Sequence, residues 1–143
     1  MTIRNMTADD LPAASRLYLA AYGVEWTEAG ARAYLEKFFR FEPGSCFVSV
    51  EADGHLSGAV LAFGYEKETG AVLYIQELMV HPDHRKQGLG KALVTRLRDG
   101  AGKGPSAVKV KPLVKADTSV LNFYNSLGFE RDKHVSFSFS FEG

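Results

Sequence analysis

The run Arg85-Lys86-Gln87-Gly88-Leu89-Gly90 carries the most readable chemistry of this chain. It follows an apolar, strand-like stretch ending at Val80. It precedes Leu89, Leu93 and Leu97, which recur at helical spacing with Ala92 beside them. A loop therefore leads from a strand into a helix N-terminus, where backbone N–H groups lack intrahelical acceptors and the macrodipole adds partial positive charge. Glycine lets a ligand approach the main chain closely, and Arg85, Lys86 and Lys91 bring full charges to the same point. The arrangement suits a diphosphate. Two familiar diphosphate motifs do not fit. The spacing Gly-x-x-x-x-Gly-Lys-[Ser/Thr] is absent, and Gly88-x-Gly90 is followed by Leu93 where a dinucleotide fingerprint needs its third glycine.

The elements that must position this loop follow from periodicity and punctuation. Ile3 lies in a short opening strand. Thr7-Ala8-Asp9-Asp10 resembles a capping box with Asp10 in place of the usual Glu. Leu11, Ala14, Tyr18, Ala21 and Tyr22 then form one helical face that ends at Gly23. Thr27 caps a second helix in which Ala33, Tyr34, Phe38 and Phe41 are expected to share a face, closed by Pro43-Gly44. Cys46–Val50, Leu56–Tyr65 and Val72–Val80 read as strands joined by turns at Asp53-Gly54 and Lys67 to Gly70. After the Leu89 helix and a Gly100 to Gly104 loop come a strand at Val108-Lys109-Val110 and a helix from Thr118 to Leu127 capped by Gly128. The alternation Val135-Ser136-Phe137-Ser138-Phe139-Ser140-Phe141 predicts a last strand. The order β, α, α, β, β, β, α, β, α, β predicts the α/β or α+β class: a mixed, mostly antiparallel sheet with helices on both faces, in a single domain over 1–143.

At this point two blocks become recognisable. Leu78-Met79-Val80-His81-Pro82-Asp83-His84-Arg85-Lys86-Gln87-Gly88-Leu89-Gly90-Lys91-Ala92-Leu93 closely resembles the acetyl-CoA motif of the GNAT superfamily of N-acetyltransferases. Asn122-Phe123-Tyr124-Asn125-Ser126-Leu127-Gly128-Phe129 resembles that family's Phe-Tyr-x-x-x-Gly-Phe segment, and both occur in the family's order. The resemblance implies transfer of an acetyl group from acetyl-CoA to a primary amine by direct attack in a ternary complex.

It also implies roles. The amides of Arg85, Lys86, Gln87, Gly88, Leu89, Gly90 and Lys91 would hold the CoA pyrophosphate. Leu78, Met79 and Val80 would pair with pantetheine through the strand edge, the Leu78 N–H donating to the acetyl carbonyl. Tyr124 would protonate the departing thiolate, a phenol of pKa about 10 serving a thiol of about 8.5. Relatives often carry Asn where this chain has Asp117, which would contact pantetheine or cap the helix at Thr118.

The base is the departure from the pattern. Relatives place a carboxylate or histidine where this chain has Tyr74 or Gln76, neither a useful base. Alternation puts 74, 76, 78 and 80 on one face and 75, 77 and 79 on the other, so Glu77 points away unless a bulge turns it. Two alternatives stand beside Glu77. One is Glu25 or Glu28, between the first two helices; the other is a proton wire without a strong base. Glu25, Trp26, Glu28 and Gln76 are the candidate acceptor-binding residues, with Phe39, off the main helical face, expected to be exposed.

Composition bounds what remains. At 143 residues with 45% apolar and 24% charged, the chain suits one ordinary globular core. No run approaches the roughly 18 apolar residues of a membrane span, and the N-terminus does not read as a signal peptide. Cys46 is the only cysteine, which excludes internal disulfides, makes a cytoplasmic location the expectation and marks a core residue rather than a nucleophile. Residues 1–80 hold 11 acidic and 6 basic side chains, residues 81–143 the reverse, 6 and 11. The basic part suits a polyanionic cosubstrate and the acidic part a cationic acceptor, such as a small cationic amine or a peptide or protein amine. His81 and His84, three apart, lack further ligands, so no metal is expected. Lys109, Lys111 and Lys115 come without a nucleic-acid motif, so neither nucleic acid nor membrane is an expected partner. The apolar tail strand suggests pairing into a homodimer. The competing reading from another class is a non-catalytic acyl-CoA sensor or interaction module that kept the loop and lost the base.

Overall fold

The computed structural model describes residues 1–100, 107–110, 118–132 and 136–141. Its first ordered feature is local. Arg4, on strand β1 (Thr2–Asn5), holds the Asp10 carboxylate with two nitrogens at 2.7 and 2.9 Å, and Asp10 also accepts the Thr7 N–H at 2.8 Å. The capping box foreseen at Thr7 and Asp10 is therefore formed, over a short 3₁₀ turn that runs into helix α1 (Leu11–Tyr22). Gly23, at φ 60°, ends α1 by donating its N–H to Leu19 O. Thr27 Oγ1 then accepts the Gly30 N–H at 2.9 Å and opens helix α2 (Glu28–Phe41).

Strands β2 (Cys46–Val50), β3 (Leu56–Lys67) and β4 (Gly70–Val80) form antiparallel pairs, β1 pairs antiparallel with β2, and β5 (Ala107–Val110) lies parallel to β4. The spatial order is β1-β2-β3-β4-β5. Helix α3 (Leu89–Gly100) joins β4 to β5. One face of the sheet packs on α1 and α2 through Leu11, Ala14, Leu17, Leu35 and Phe39 against Val48, Ala59, Leu61 and Met79. The other receives α3: a Cβ on Gly58 would sit 3.0 Å from the Leu93 side chain, and the Arg96 guanidinium stacks 4.8 Å from the Phe47 ring centre. Burying each such leucine stabilises the fold by roughly 1.5–3 kcal/mol. This is the mixed, mostly antiparallel sheet with helices on both faces that the element order predicts.

Three expectations are corrected. The buried face of α2 is Ala31, Leu35 and Phe39, with Tyr34 and Phe38 beside it; Ala33 is exposed and Phe41 is 69% exposed. The helix is rotated toward the aliphatic residues, which fit the core more closely than the aromatic stripe would. Phe39, expected at the surface, is consequently in the core. The predicted tail strand is also not seen: residues 136–141 carry no strand, with Phe137, Phe139 and Phe141 exposed, while residues 133–135 lie outside the described residues.

The chain divides into two compact units, residues 1–111 and 112–143. In the second, helix α4 (Thr118–Ser126) ends in a Schellman arrangement: Gly128, at φ 89°, donates to Asn125 O and Phe129 donates to Tyr124 O, both at 3.0 Å.

The Arg4 pair, chiefly by hydrogen bonding, holds the Asp10 carboxyl below its ordinary range. A group whose folded pKa is depressed contributes stability that is complete above the unfolded value and is lost as pH falls through the folded one. Asp10→Asn is therefore expected to lower stability by about 1–2 kcal/mol at neutral pH and to flatten the acid limb of a urea-unfolding series against pH.

Candidate active site

Strand β4 changes face partway along. Leu61 pairs with Glu77 but Ala62 pairs with Ile75, so Gln76 is an extra residue, a β-bulge. Before it, Tyr74 meets Phe63 on the α2 side, their ring centres 5.3 Å apart, and Phe63 in turn stacks 6.4 Å from Phe38. After it, Met79 packs in the α1/α2 core and Glu77 lies on the same side, 2% exposed. Simple alternation would have sent Glu77 to the α3 side; the bulge turns it back.

There Glu77 meets two phenols. Tyr22 donates to Oε2 and Tyr34 to Oε1, each at 2.6 Å, and Gln76 Nε2 donates to the Tyr34 hydroxyl at 3.0 Å. Hydrogen bonds to a charged acceptor contribute about 1.5–3 kcal/mol each, enough to offset much of the desolvation of a buried carboxylate. The Tyr22 hydroxyl also lies 3.3 Å from Leu78 O, and the residue is 44% exposed. Periodicity places Tyr22 and Tyr34 only on helix faces. Their signal was chemical: a half-buried tyrosine hydroxyl needs a polar partner.

Among the described residues the far edge of β4 is unpaired beyond Ile75. His81 N–H donates to Ser57 O at 2.8 Å. Hydrogen-bonded pairs alternate along an antiparallel ladder, so Met79 and Glu77 bond to β3 while the N–H and C=O of Leu78 and Val80 face the opposite edge. Strand β5 pairs with β4 only over Val72 to Ile75, so among the described residues no strand covers that edge beyond Ile75.

At the loop, Lys86 and Gly88 take positive φ, 64° and 74°, and a Cβ on Gly88 would meet nothing within 4 Å. Ala92 donates to Gly88 O, while the N–H groups of Gly88, Leu89, Gly90 and Lys91 donate to no protein acceptor among the described residues. Gln87 and Lys91 are exposed, and Leu89, buried, fixes the helix start against the core. These free donors beside open space fit a diphosphate. The Arg85 guanidinium donates to Ala21 O, in the last turn of α1. A groove of about 410 Å³ borders Gly88 and Lys91 and runs along Thr95, Arg96 and Asp99 of α3.

Residues 11–129 match the profile described as the acetyltransferase (GNAT) family. The chain belongs to that family. It is 27% identical over 128 residues to the [ribosomal protein bS18]-alanine N-acetyltransferase of Escherichia coli K12, covering 90% of this chain and 80% of that one. It is 30% identical over 142 residues to an uncharacterized N-acetyltransferase of Methanocaldococcus jannaschii, covering 94% of this chain and 62% of that one. Among solved structures, an aminoglycoside acetyltransferase from an uncultured soil metagenomic sample, in complex with sisomicin, superposes with a TM-score of 0.78 at 22% identity over 99% of this chain and 96% of that one. This chain is thus an acetyl-CoA-dependent N-acetyltransferase, and acetyl-CoA is its cosubstrate.

The remaining candidates of this acetyltransferase fall in different places. Trp26, half-exposed, sits by ring centres 6.2 Å from Tyr18 and 6.4 Å from Tyr34, the second of which bonds Glu77. Glu28 pairs with Arg16 at 3.0 Å, and Glu25 is exposed. Cys46 is fully buried and its thiol is pushed up to about 11, mainly by burial, so it is no nucleophile. Tyr124 is half-buried in the second unit, its ring 5.0 Å from Phe123 and 5.5 Å from Phe129. Asp117, Lys111 and Lys115 lie outside the described residues. Among the described residues no helix is long and apolar enough to cross a membrane, and no group of three or more His, Cys, Asp or Glu is placed to hold a metal.

Gly30 sets the Trp26 position: an added Cβ would lie 2.5 Å from the indole. Gly30→Ala is expected to leave global stability nearly unchanged, displace Trp26 and shift its fluorescence emission. It should also raise the acceptor KM several-fold while leaving the acetyl-CoA KM unaltered.

Proposed function

We propose that this acetyltransferase acetylates a primary amine by direct attack in a ternary complex, with Glu77 as the general base acting through Tyr22. The observation that carries this reading is the Tyr22 hydroxyl, which bonds Glu77 and stands beside Leu78 on the open edge of β4. A buried carboxylate cannot meet a bulky ammonium directly. A phenol between them passes the proton on, the amine proton going to Tyr22 Oη as the phenol proton moves to Glu77 Oε2. Tyr34, tied to Glu77 and Gln76, holds the carboxylate in place. The Leu78 N–H, facing the open edge, donates to the acetyl carbonyl oxygen as negative charge develops there. Tyr124 protonates the departing CoA thiolate, a role that rests on its Phe-Tyr motif. The cradle from Arg85 through Lys91, with Met79, Val80 and Asp117, holds the cosubstrate, which supplies the thioester carbonyl.

For the acceptor, Trp26 offers an aromatic face and Glu25 and Glu28 negative charge, a combination suited to a cationic amine, either a small polyamine-like molecule or a peptide amine. The E. coli relative acts on an alanine of a ribosomal protein, and the metagenomic structure holds an aminoglycoside. A thiol-release screen with acetyl-CoA over polyamines, aminoglycosides and peptides separates these classes. Absence of turnover with every acceptor would leave the sensor reading standing.

Glu77→Gln keeps the size of the side chain and is expected to lower kcat about 100-fold or more, with CoA affinity unchanged. Tyr22→Phe should cost nearly as much, whereas Tyr34→Phe should cost less. Tyr124→Phe should lower kcat without weakening CoA binding. If Glu77→Gln retains native kcat and the native pH–rate profile, the base assignment fails.

A further inference from the structure

Another concentration of titratable side chains lies between the β2–β3 turn and the 3₁₀ turn Pro82–His84 that precedes the cradle. His55 Nε2 and His84 Nε2 face each other at 3.0 Å. Asp53 Oδ1 takes the His55 backbone N–H at 3.1 Å and also bonds its ring Nδ1. An ionised carboxylate only accepts, so Nδ1 carries the proton and Nε2 of the neutral ring presents a lone pair. These hydrogen bonds from His55 hold Asp53 below the usual carboxylate range. On the other ring, His84 Nδ1 faces Glu51 Oε1 at 3.8 Å, and Glu51 is itself fixed by the Ser57 hydroxyl at 2.8 Å. Each imidazole thus has a carboxylate on its Nδ1 side, and the two Nε2 atoms point at one another 3.0 Å apart, where they either share one hydrogen bond or flank a single cation.

We propose that His55 and His84 form a two-histidine site for a divalent transition ion of the imidazole-preferring class, Ni²⁺, Cu²⁺ or Zn²⁺, with water completing the shell. Two nitrogens each about 2.1 Å from a metal lie about 3.0 Å apart in neighbouring positions of a square-planar or octahedral shell, matching the observed separation. A tetrahedral zinc requires about 0.4 Å more, which the exposed β2–β3 turn is able to give. Asp53 and Glu51 offset the ion's charge. His81 is turned to another use: its Nδ1 accepts the Asp83 N–H at 3.1 Å, with Asp83 Oδ2 at 3.7 Å. The sequence pairs His81 with His84; the fold instead pairs His84 with His55, 29 residues away. A bound ion would tie the β2–β3 turn to the segment that delivers Arg85 to the cradle. The site is independent of the acceptor and of the base assignment.

The test is calorimetric titration of the tag-free, chelator-stripped full chain with NiCl₂, CuCl₂ and ZnCl₂ at neutral pH. One-to-one saturable binding by at least one ion is expected, weakened at least about tenfold in His55→Ala, His55→Gln and His84→Ala and unchanged in His81→Ala. Saturating ion should raise the native Tm by about 5 °C and leave the His55 variants unmoved. In the unsubstituted chain, substoichiometric Cu²⁺ should broaden the His55 and His84 ring-proton resonances before those of the other histidines. No binding by the native chain, equal binding in the His55 variants, or loss in His81→Ala as large as in His84→Ala overturns the proposal.

Discussion

One residue too many in strand β4 governs the centre of this protein. Between Ile75 and Glu77 the strand carries Gln76 where β3 offers no counterpart, and the pleat loses its alternation there. Tyr74, Glu77 and Met79 consequently share the face packed by α1 and α2. In a regular strand Glu77 would face the layer filled by Leu93, Val94 and Leu97, where an unpaired carboxylate costs several kcal/mol. The bulge delivers it instead to two tyrosines.

Those tyrosines depend on where two helices stop and start. Tyr22 is the last residue of α1, immediately before the left-handed Gly23, and Tyr34 lies on the second turn of α2, whose start is set by the Thr27 cap. The C-terminal turn of α1 is also held from the cosubstrate side, because Arg85 at the head of the cradle donates to Ala21 O. The phenol that touches Glu77 and the loop that begins at Arg85 are therefore fastened to the same turn of helix.

Much of this was legible from contiguous residues. The cap at Thr7, the glycine stops at Gly23 and Gly128, the turns and the strand-loop-helix cradle each depend on a few neighbouring positions, and all are present. The misreadings have a common origin in packing. Helix α2 has more apolar residues than its core face accepts, so periodicity chose Ala33 and Phe41 where the sheet accommodates Ala31, Leu35 and Phe39. The alternating phenylalanines near the C-terminus carry a strand pattern without a partner strand among the described residues, and alternation alone does not supply the ladder.

By itself the sequence determined the family, the order of the elements from β1 to α4 and the strand–loop–helix step at Arg85 to Leu89, since backbone conformation at caps, turns and a glycine-rich helix start is dictated over short stretches of chain. Only the tertiary structure decided which way Glu77 points and what receives it. Its partners lie 55 and 43 residues away, and the bulge depends on the register between two strands, which no local pattern specifies. The same holds for His84, whose partner across 29 residues exists only because the β2–β3 turn folds over the segment before the cradle.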